Sequence, residues 1–288
     1  VEMSVVNTNV SASIAQAALA KNDRALGTAM EQLSTGKKIN SAGDNAAGLA
    51  ISSRMTSQIR GLGAAISNAN DAISMVSTAE GALDEITTMM QRMRELAVQS
   101  GTGTTSAADR TYMNSEYVAL RSEIDRIADN TQWNGQNILD GSAGASVGKS
   151  TVAFQVGVNQ NQTISTSFGN VNNTNGHMSA LASTRLSAAT IASAAIVASN
   201  AITRLDNTIA DVSAQRATFG AVSNRLTHAI DNLTNVKINS EAARSRILDT
   251  DYSAATSELA RTQIIQQAGT AMLAQANVLP QTVLALLR

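Results

Sequence analysis

DNAAGLAISSRMTSQIRGLGAAISNANDAISMVSTAEGALDEITTMMQRMRELAVQ, residues 44–99, decides the fold. It holds no proline, and beyond Gly48 near its start its glycines are the pair Gly61 and Gly63 and the single Gly81. Apolar residues recur at alternating steps of four and three: Met55, Ile59, Leu62, Ile66, Ala69, Ile73 and Val76, then Glu80 and Leu83. The phase then slips, and the pattern resumes as Ile86, Met90, Met93 and Ala97. This spacing predicts a coiled-coil seam. The slip beside Glu80 and Gly81 predicts a stammer, a local overwinding of the coil. Roughly 50 helical residues would run about 75 Å, too long for an ordinary globular core. Such a helix needs other long helices beside it.

The rest of the composition agrees. The chain has 288 residues, of which only 2% are aromatic, with a single proline, Pro280. Abundant Ala, Ser, Thr, Asn and Leu suit close helix–helix packing. A net charge of −1 provides no electrostatic footprint for nucleic acid. The absence of cysteine excludes disulfides and cysteine metal sites, and suits a protein that leaves the cell without needing oxidation. Residues 1–21 have no cationic stretch ahead of an apolar core, so no cleavable signal peptide is expected; Val1 and Glu2 precede Met3. Apolar clusters are short, and no membrane insertion is expected.

Outward from the long helix, residues 5–36 read as a first helical arm. Ala15, Leu19, Leu26, Met30 and Leu33 lie at heptad spacings, with Asn22 in the seam and Gly36 as a C-cap. Asn40 and Gly43 suit a turn, and Ser41 or Asp44 an N-cap. After the break at residues 101–106, Ser106 and Asp109 form a capping box for a helix carrying Met113, Tyr117, Leu120, Ile124 and Ile127. NTQWNG, residues 130–135, ends it. Alternation over Thr151–Val158, turn chemistry at residues 159–161 and a return over Thr163–Phe168 predict a β-hairpin, the one convincing strand signal. An Asn-, Gly- and Ser-rich loop follows to Met178. A second long helix is expected over about residues 180–240, with Ile202, Leu205, Ile209, Val212, Phe219, Leu226, Ile230 and Leu233 on its seam and Arg216 and Ser223 interrupting it. A last arm runs from Asp251 to Leu287. The fold class is therefore mainly α: long antiparallel coiled-coil helices from both chain ends, with a small β-hairpin in the middle.

Catalytic and ligand readings find no support. GSAGASVGKS, residues 141–150, resembles a phosphate-binding loop, but Gly144 is one residue too close to Gly148-Lys149-Ser150, and a strand follows where a helix N-terminus is needed. His177 and His228 have no neighbour at ligand spacing. Asp249 and Asp251 flank Thr250 where a helix N-terminus favours carboxylates, so capping is the expected role. No serine or threonine has a base beside it in sequence. No enzyme activity, cofactor or metal is expected. The charged face of QRMRELAVQS, residues 91–100, reads by itself as solvated coiled-coil surface.

Both ends of the chain carry a resemblance. Val6-Asn7-Thr8-Asn9, Asn40-Ser41-Ala42 through Ala46-Ala47-Gly48, and Gln91–Ser100 resemble the N-terminal region of bacterial flagellin. Ser245-Arg246-Ile247 with Asp249, Asp251 and Tyr252, then Gln266–Gly269, Leu273–Asn277 and Pro280-Gln281 before Val283-Leu284 and Leu286-Leu287, resemble its C-terminal signature. The likeness covers about residues 4–140 and 200–288, in order. Trp133 stands where phenylalanine is commoner, and Asn45 where aspartate is. The middle has no large inserted outer domains.

The resemblance implies a structural subunit, exported unfolded through the flagellar type III system, that polymerises into the extracellular filament for swimming. Residues 1–43 with 246–288 would form the inner coiled-coil layer, and 44–178 with 179–245 the outer layer. Leu19, Leu26, Leu33, Leu259, Leu273, Leu284 and Leu287 are then the assembly residues. Identical subunits making heterologous contacts that do not close build a tube. Isolated arms have little to bury against and should be disordered before assembly. The expected partners are further copies of the chain, an export chaperone, the filament cap and hook-junction proteins, and a host Toll-like receptor that reads Gln91, Arg92, Leu96 and Glu116. Ser142, Ser146, Ser150, Ser165, Thr166, Ser167 and Thr174 are candidates for O-linked sugars. The alternatives are a hook–filament junction protein, which shares the terminal architecture, and a secreted coiled-coil adhesin or binding protein.

Overall fold

The computed structural model describes residues 9–143, 151–171, 184, 186 and 190–286. Five helices carry the architecture: α1 (Val10–Thr35), α2 (Ala46–Ser100), α3 (Ala107–Asn130), α4 (Ile191–Leu248) and α5 (Tyr252–Leu286). Between α3 and α4 lie two antiparallel strand pairs. One is β1 (Gln132–Trp133) with β2 (Gln136–Asn137), and the other is β3 (Thr151–Gln155) with β4 (Thr163–Ser167). The chain divides into two compact units, residues 1–59 with 238–288, and residues 60–237.

The first unit holds the two arms. α1 and α5 are antiparallel: Asn9 Nδ2 donates to Ala276 O (2.8 Å), Asn22 Nδ2 to Thr262 O (2.8 Å), and Thr250 N to Gly36 O (3.0 Å). The buried Asn22 thus holds register, as its seam position predicts. Gly36 takes φ 69°, the left-handed C-cap that glycine accepts without strain. The N-cap of α2 differs from the expectation. Asn45 Oδ1 accepts from Gly48 N (2.8 Å), whereas Asp44 folds back to accept from Ser41 N and Asn40 N. Those donated bonds hold the Asp44 carboxyl below its ordinary range. Asp251 caps α5, accepting from Ser253 N and Ala254 N. This unit also takes in the first turns of α2 and the last turns of α4. The connector stays with the arms because Ile39 is buried against Gly48, Lys38 N donates to Leu248 O (2.7 Å), and Arg244 Nη1 reaches Thr56 Oγ1.

The second unit has one hydrophobic core, drawn from α2, α3, α4, the hairpin and the segment after β2. Phe168, following β4, packs on Phe219 of α4 with ring centroids 5.2 Å apart. The expected stammer is absent. The buried stripe of α2 runs Leu62, Ala65, Ala69, Ala72, Val76, Ala79, Leu83, Ile86, Met90, Met93, Ala97 and Ser100, an unbroken alternation of three and four. Ala65, Ala72 and Ala79 occupy the places assigned to Ile66, Ile73 and Glu80, which are half-buried flanks. α4 repeats the shift, burying Ala201, Thr208 and Val222 instead of Ile202, Ile209 and Ser223, and α1 buries Ala29 while Met30 is exposed. Alanine at the line of contact lets helix axes approach closely, and the bulkier isoleucines fill the sides. Arg216, expected as a polar interruption, pairs with Asp84 of α2 at 2.9 Å.

α3 begins with the predicted capping box: Ser106 Oγ accepts from Asp109 N, and Asp109 Oδ2 from Ser106 N. The Ser106 hydroxyl and amide hold the Asp109 carboxyl low. The β3–β4 hairpin pairs Thr151 with Ser167 and Phe154 with Ile164. Its carbonyls are held from both long helices, with Asn68 Nδ2 donating to Gln155 O and Gln215 Nε2 to Ser167 O. The β1–β2 pair was not expected. Asn134 (φ 49°) and Gly135 (φ 76°) make its two-residue turn, a hairpin signature that two-residue strands are too short to announce by alternation.

Candidate assembly and recognition surfaces

The arms leave apolar surface uncovered. Ile14 (65%), Ile264 (66%) and Met272 (65%) are mostly exposed, as are Val10 and Met30. The faces turned toward each other are small or polar: Asn22 and Thr262 are buried, Gln266 and Gly269 half-buried. Gly269 lies so close to Leu19 that a methyl there would stand 3.1 Å from Leu19 Cδ1. Of the seven assembly leucines, Leu19, Leu26, Leu33, Leu259 and Leu273 are half-buried on the heptad lines joining α1 and α5. The side chain of Leu284, and Leu287 altogether, lie outside the described residues. Ile14, Met30, Ile264 and Met272 are more exposed than these leucines. Their signal was legible: Ile264 and Met272 lie off the line through Leu259, Thr262, Gln266, Gly269 and Leu273.

The QRMRELAVQS segment is the last three turns of α2 and packs along α3. Arg92 Nε donates to Glu116 Oε1 at 2.9 Å, and its Nη1 to Glu95 Oε2 at 3.0 Å. Gln91, Arg92 and Glu116 are exposed. Hydrogen bonding to Glu116 and then Glu95 raises the Arg92 pKa above its ordinary value. Leu96 does not share that exposure: with 2% of its surface accessible it belongs to the core beside Met93 and Ala97. A step of four residues turns about 40° round a helix, enough here to carry Leu96 off the surface.

Among the sugar candidates, Ser142, Ser165 and Ser167 are exposed and Thr166 is buried at 3%. The β4 alternation points Thr166 inward. Ser146, Ser150 and Thr174 lie outside the described residues, as do His177 and most of the phosphate-loop lookalike; His228 is exposed on α4. No described helix is long and apolar enough to cross a membrane.

Long antiparallel helices whose terminal pair keeps apolar side chains uncovered define a helical structural protein that completes its packing with neighbours. The comparisons name the family. The description of the bacterial flagellin N-terminal helical region matches residues 6–144, and that of the C-terminal helical region residues 202–287. A flagellin of Halalkalibacterium halodurans is 45% identical over 284 residues, covering 99% of this chain and 100% of that one. Flagellin of Bacillus subtilis is 41% identical over 302 residues, covering 98% and 99%. Among solved structures, a putative flagellar hook-associated protein of Vibrio parahaemolyticus superposes with a TM-score of 0.58 over 72% of this chain and 100% of that one; at 15% identity this is a likeness of fold alone.

The chain belongs to the bacterial flagellin family. Members leave the cell through the flagellar type III apparatus and polymerise into the extracellular filament of swimming bacteria, and this chain is such a structural subunit.

Proposed function

We propose that the paired arms are the part of this subunit that is completed only in the polymer, forming the inner layer of the filament, with the second unit outside it. The observation that carries this reading is the exposure of Ile14, Met30, Ile264, Ile265 and Met272 beside a seam of small and polar residues. Exposed apolar side chains of this number mark surfaces that meet another chain. The subunit acts by assembly and not by catalysis, with export chaperone, cap and hook-junction proteins as its partners on the way. Seeding purified monomer with filament fragments tests it: elongation supports the reading, and a protein that stays monomeric overturns it.

A second role is recognition of the monomer by a host Toll-like receptor through Gln91, Arg92 and Glu116. What supports it is the ion-paired, exposed Arg92, since arginine is enriched among interface anchors. Leu96 contributes from beneath, by holding α2 against the core. The O-linked sugar reading is kept for the exposed hydroxyls Ser142, Ser165 and Ser167; an intact mass equal to the bare chain in native filaments would end it.

A further inference from the structure

The β1–β2 turn carries a latent reaction. Asn134-Gly135 is the Asn-Gly step among the described residues; another, Asn175-Gly176, lies outside them. The Gly135 amide nitrogen, once a base has taken its proton, can attack Asn134 Cγ. The new N–Cγ bond closes a five-membered succinimide, and Nδ2 leaves as ammonia. Water then opens the ring. Cleavage at Cγ gives aspartate. Cleavage at the carbonyl carbon of residue 134 gives isoaspartate, whose chain runs on through Cβ and Cγ. Either way, asparagine and water become a carboxylic acid and ammonia. Glycine hinders the attack least, because it has no Cβ.

Packing does not shield the pair. Asn134, Gly135 and Gln136 are exposed, and a methyl at Gly135 would find no described atom within 4 Å. Solvent base therefore has access to the Gly135 amide. The obstacle is the backbone. Asn134 at φ 49° and Gly135 at φ 76°, between the paired Trp133 and Gln136, form a type I′ turn. Such a turn sets ψ of its first residue near about +30°. Ring closure needs the Gly135 nitrogen eclipsed with Cβ about the Cα–C bond of Asn134, and this ψ holds it on the opposite side. The nearby Asp140-Gly141 step is held in another way: Asp140 Oδ1 accepts from Ser142 N and Oγ, and Oδ2 from Asn137 Nδ2, which fixes the carboxylate. The lock on Asn134 is short. Each strand has two residues, one further bond runs from Ile138 N to Thr131 O (3.1 Å), and Trp133 packs half-buried on the core.

We propose that Asn134 is a modification site gated by folding: it deamidates to aspartate and isoaspartate in the unfolded chain, and the closed β1–β2 turn protects it once the second unit has folded. The timing rests on export before folding, since a chain held unfolded is the one exposed to the reaction. The two products differ in consequence. Asp-Gly is itself a favoured type I′ pair, so aspartate at this position is compatible with the turn. Isoaspartate lengthens the backbone of a two-residue loop by one carbon. Trp133 then cannot face Gln136 in the same register, and the misfit falls on Ile138 and Leu139, which are fully buried just beyond. Isoaspartate is therefore the product that distinguishes a chain kept too long unfolded.

The full chain is incubated in mildly alkaline buffer, once folded and once in denaturing urea. Tryptic peptide 127–149, which holds Asn134 and excludes Asn175, is followed by mass spectrometry, with fragment spectra placing the change. Asn134 should convert about tenfold or more faster in urea, the ratio that a turn-opening free energy of about 1.4 kcal/mol gives. Equal rates in the two states, or no conversion in urea, would overturn the proposal. Trp133→Ala removes the ring that packs the turn on the core. It should speed conversion in the folded monomer several-fold and leave the rate in urea unchanged; an unchanged folded rate would refute the gate. Asn134→Asp should keep the monomer's thermal midpoint, while refolded isoaspartate chains, separated by reversed-phase chromatography, should melt lower. Equal midpoints would refute the difference between the products. None of these measurements needs polymerisation, so failure of the monomer to elongate seeds would sink the filament reading and leave this one standing.

Discussion

Arg92 of α2 and Glu116 of α3 are joined across the helix pair at 2.9 Å, while Leu96, one turn beyond Arg92, is buried in the core. The two α2 positions therefore separate the proposed recognition surface from stability. Exposed ion pairs contribute little to folding. Arg92→Ala should leave the thermal midpoint of the monomer unchanged and strongly weaken receptor signalling by it. Leu96→Ala removes buried methyl groups and should cost about 2–5 kcal/mol, read by urea titration. Undiminished signalling by soluble Arg92→Ala monomer would remove Arg92 from the recognition surface.

Tyr117 is fully buried in the second unit, and its hydroxyl has no hydrogen-bond partner among the described residues. Burial pushes its pKa up to about 12, against the opposing fields of Arg121 and Arg204. A raised phenol favours the folded state's proton, so its contribution is intact below the unfolded value near 10 and is lost as pH rises from there to about 12. Tyr117→Phe removes an unsatisfied polar atom at nearly constant shape. It should leave stability unchanged or increased at neutral pH, and shift the alkaline unfolding of the monomer to higher pH.

Two helical glycines two residues apart should respond oppositely to alanine. Nothing stands within 4 Å of a methyl at Gly63, so Gly63→Ala should stabilise α2 by up to about 1 kcal/mol through helix propensity. At Gly61 the same methyl meets Val158 Cγ1 at 2.8 Å. Gly61→Ala should forfeit that gain and loosen the hairpin, seen as faster amide exchange over residues 151–167.

The arms should be the least protected helices of the dilute monomer. Their shared seam buries Asn22, Ala29, Ala255 and Thr262, little apolar area for such long helices. Amides of residues 10–35 and 252–286 should exchange faster than those of 69–97 and 201–226, and become protected on polymerisation. Removing residues 270–288 should abolish elongation while the second unit keeps its thermal transition.

Much of this was legible along the chain. Helix periodicity, the Ser106–Asp109 capping box, Gly36, Asn22 and the Thr151–Ser167 hairpin follow from local pattern and turn chemistry, which act within a few residues. The β1–β2 turn was written in Asn134-Gly135, but its strands were too short to read. Which apolar residues lie on the contact line was settled by the partners. Ala65, Ala72 and Ala79 displaced Ile66, Ile73 and Glu80 because several elements crowd α2, and small side chains admit the closest approach. Periodicity locates an apolar stripe, but not the centre of that stripe or its edges. The burial of Leu96, the exposure of Ile264 and Met272, and the meeting of Arg92 with Glu116 depend on residues far apart in the chain, and only the packed helices decide them.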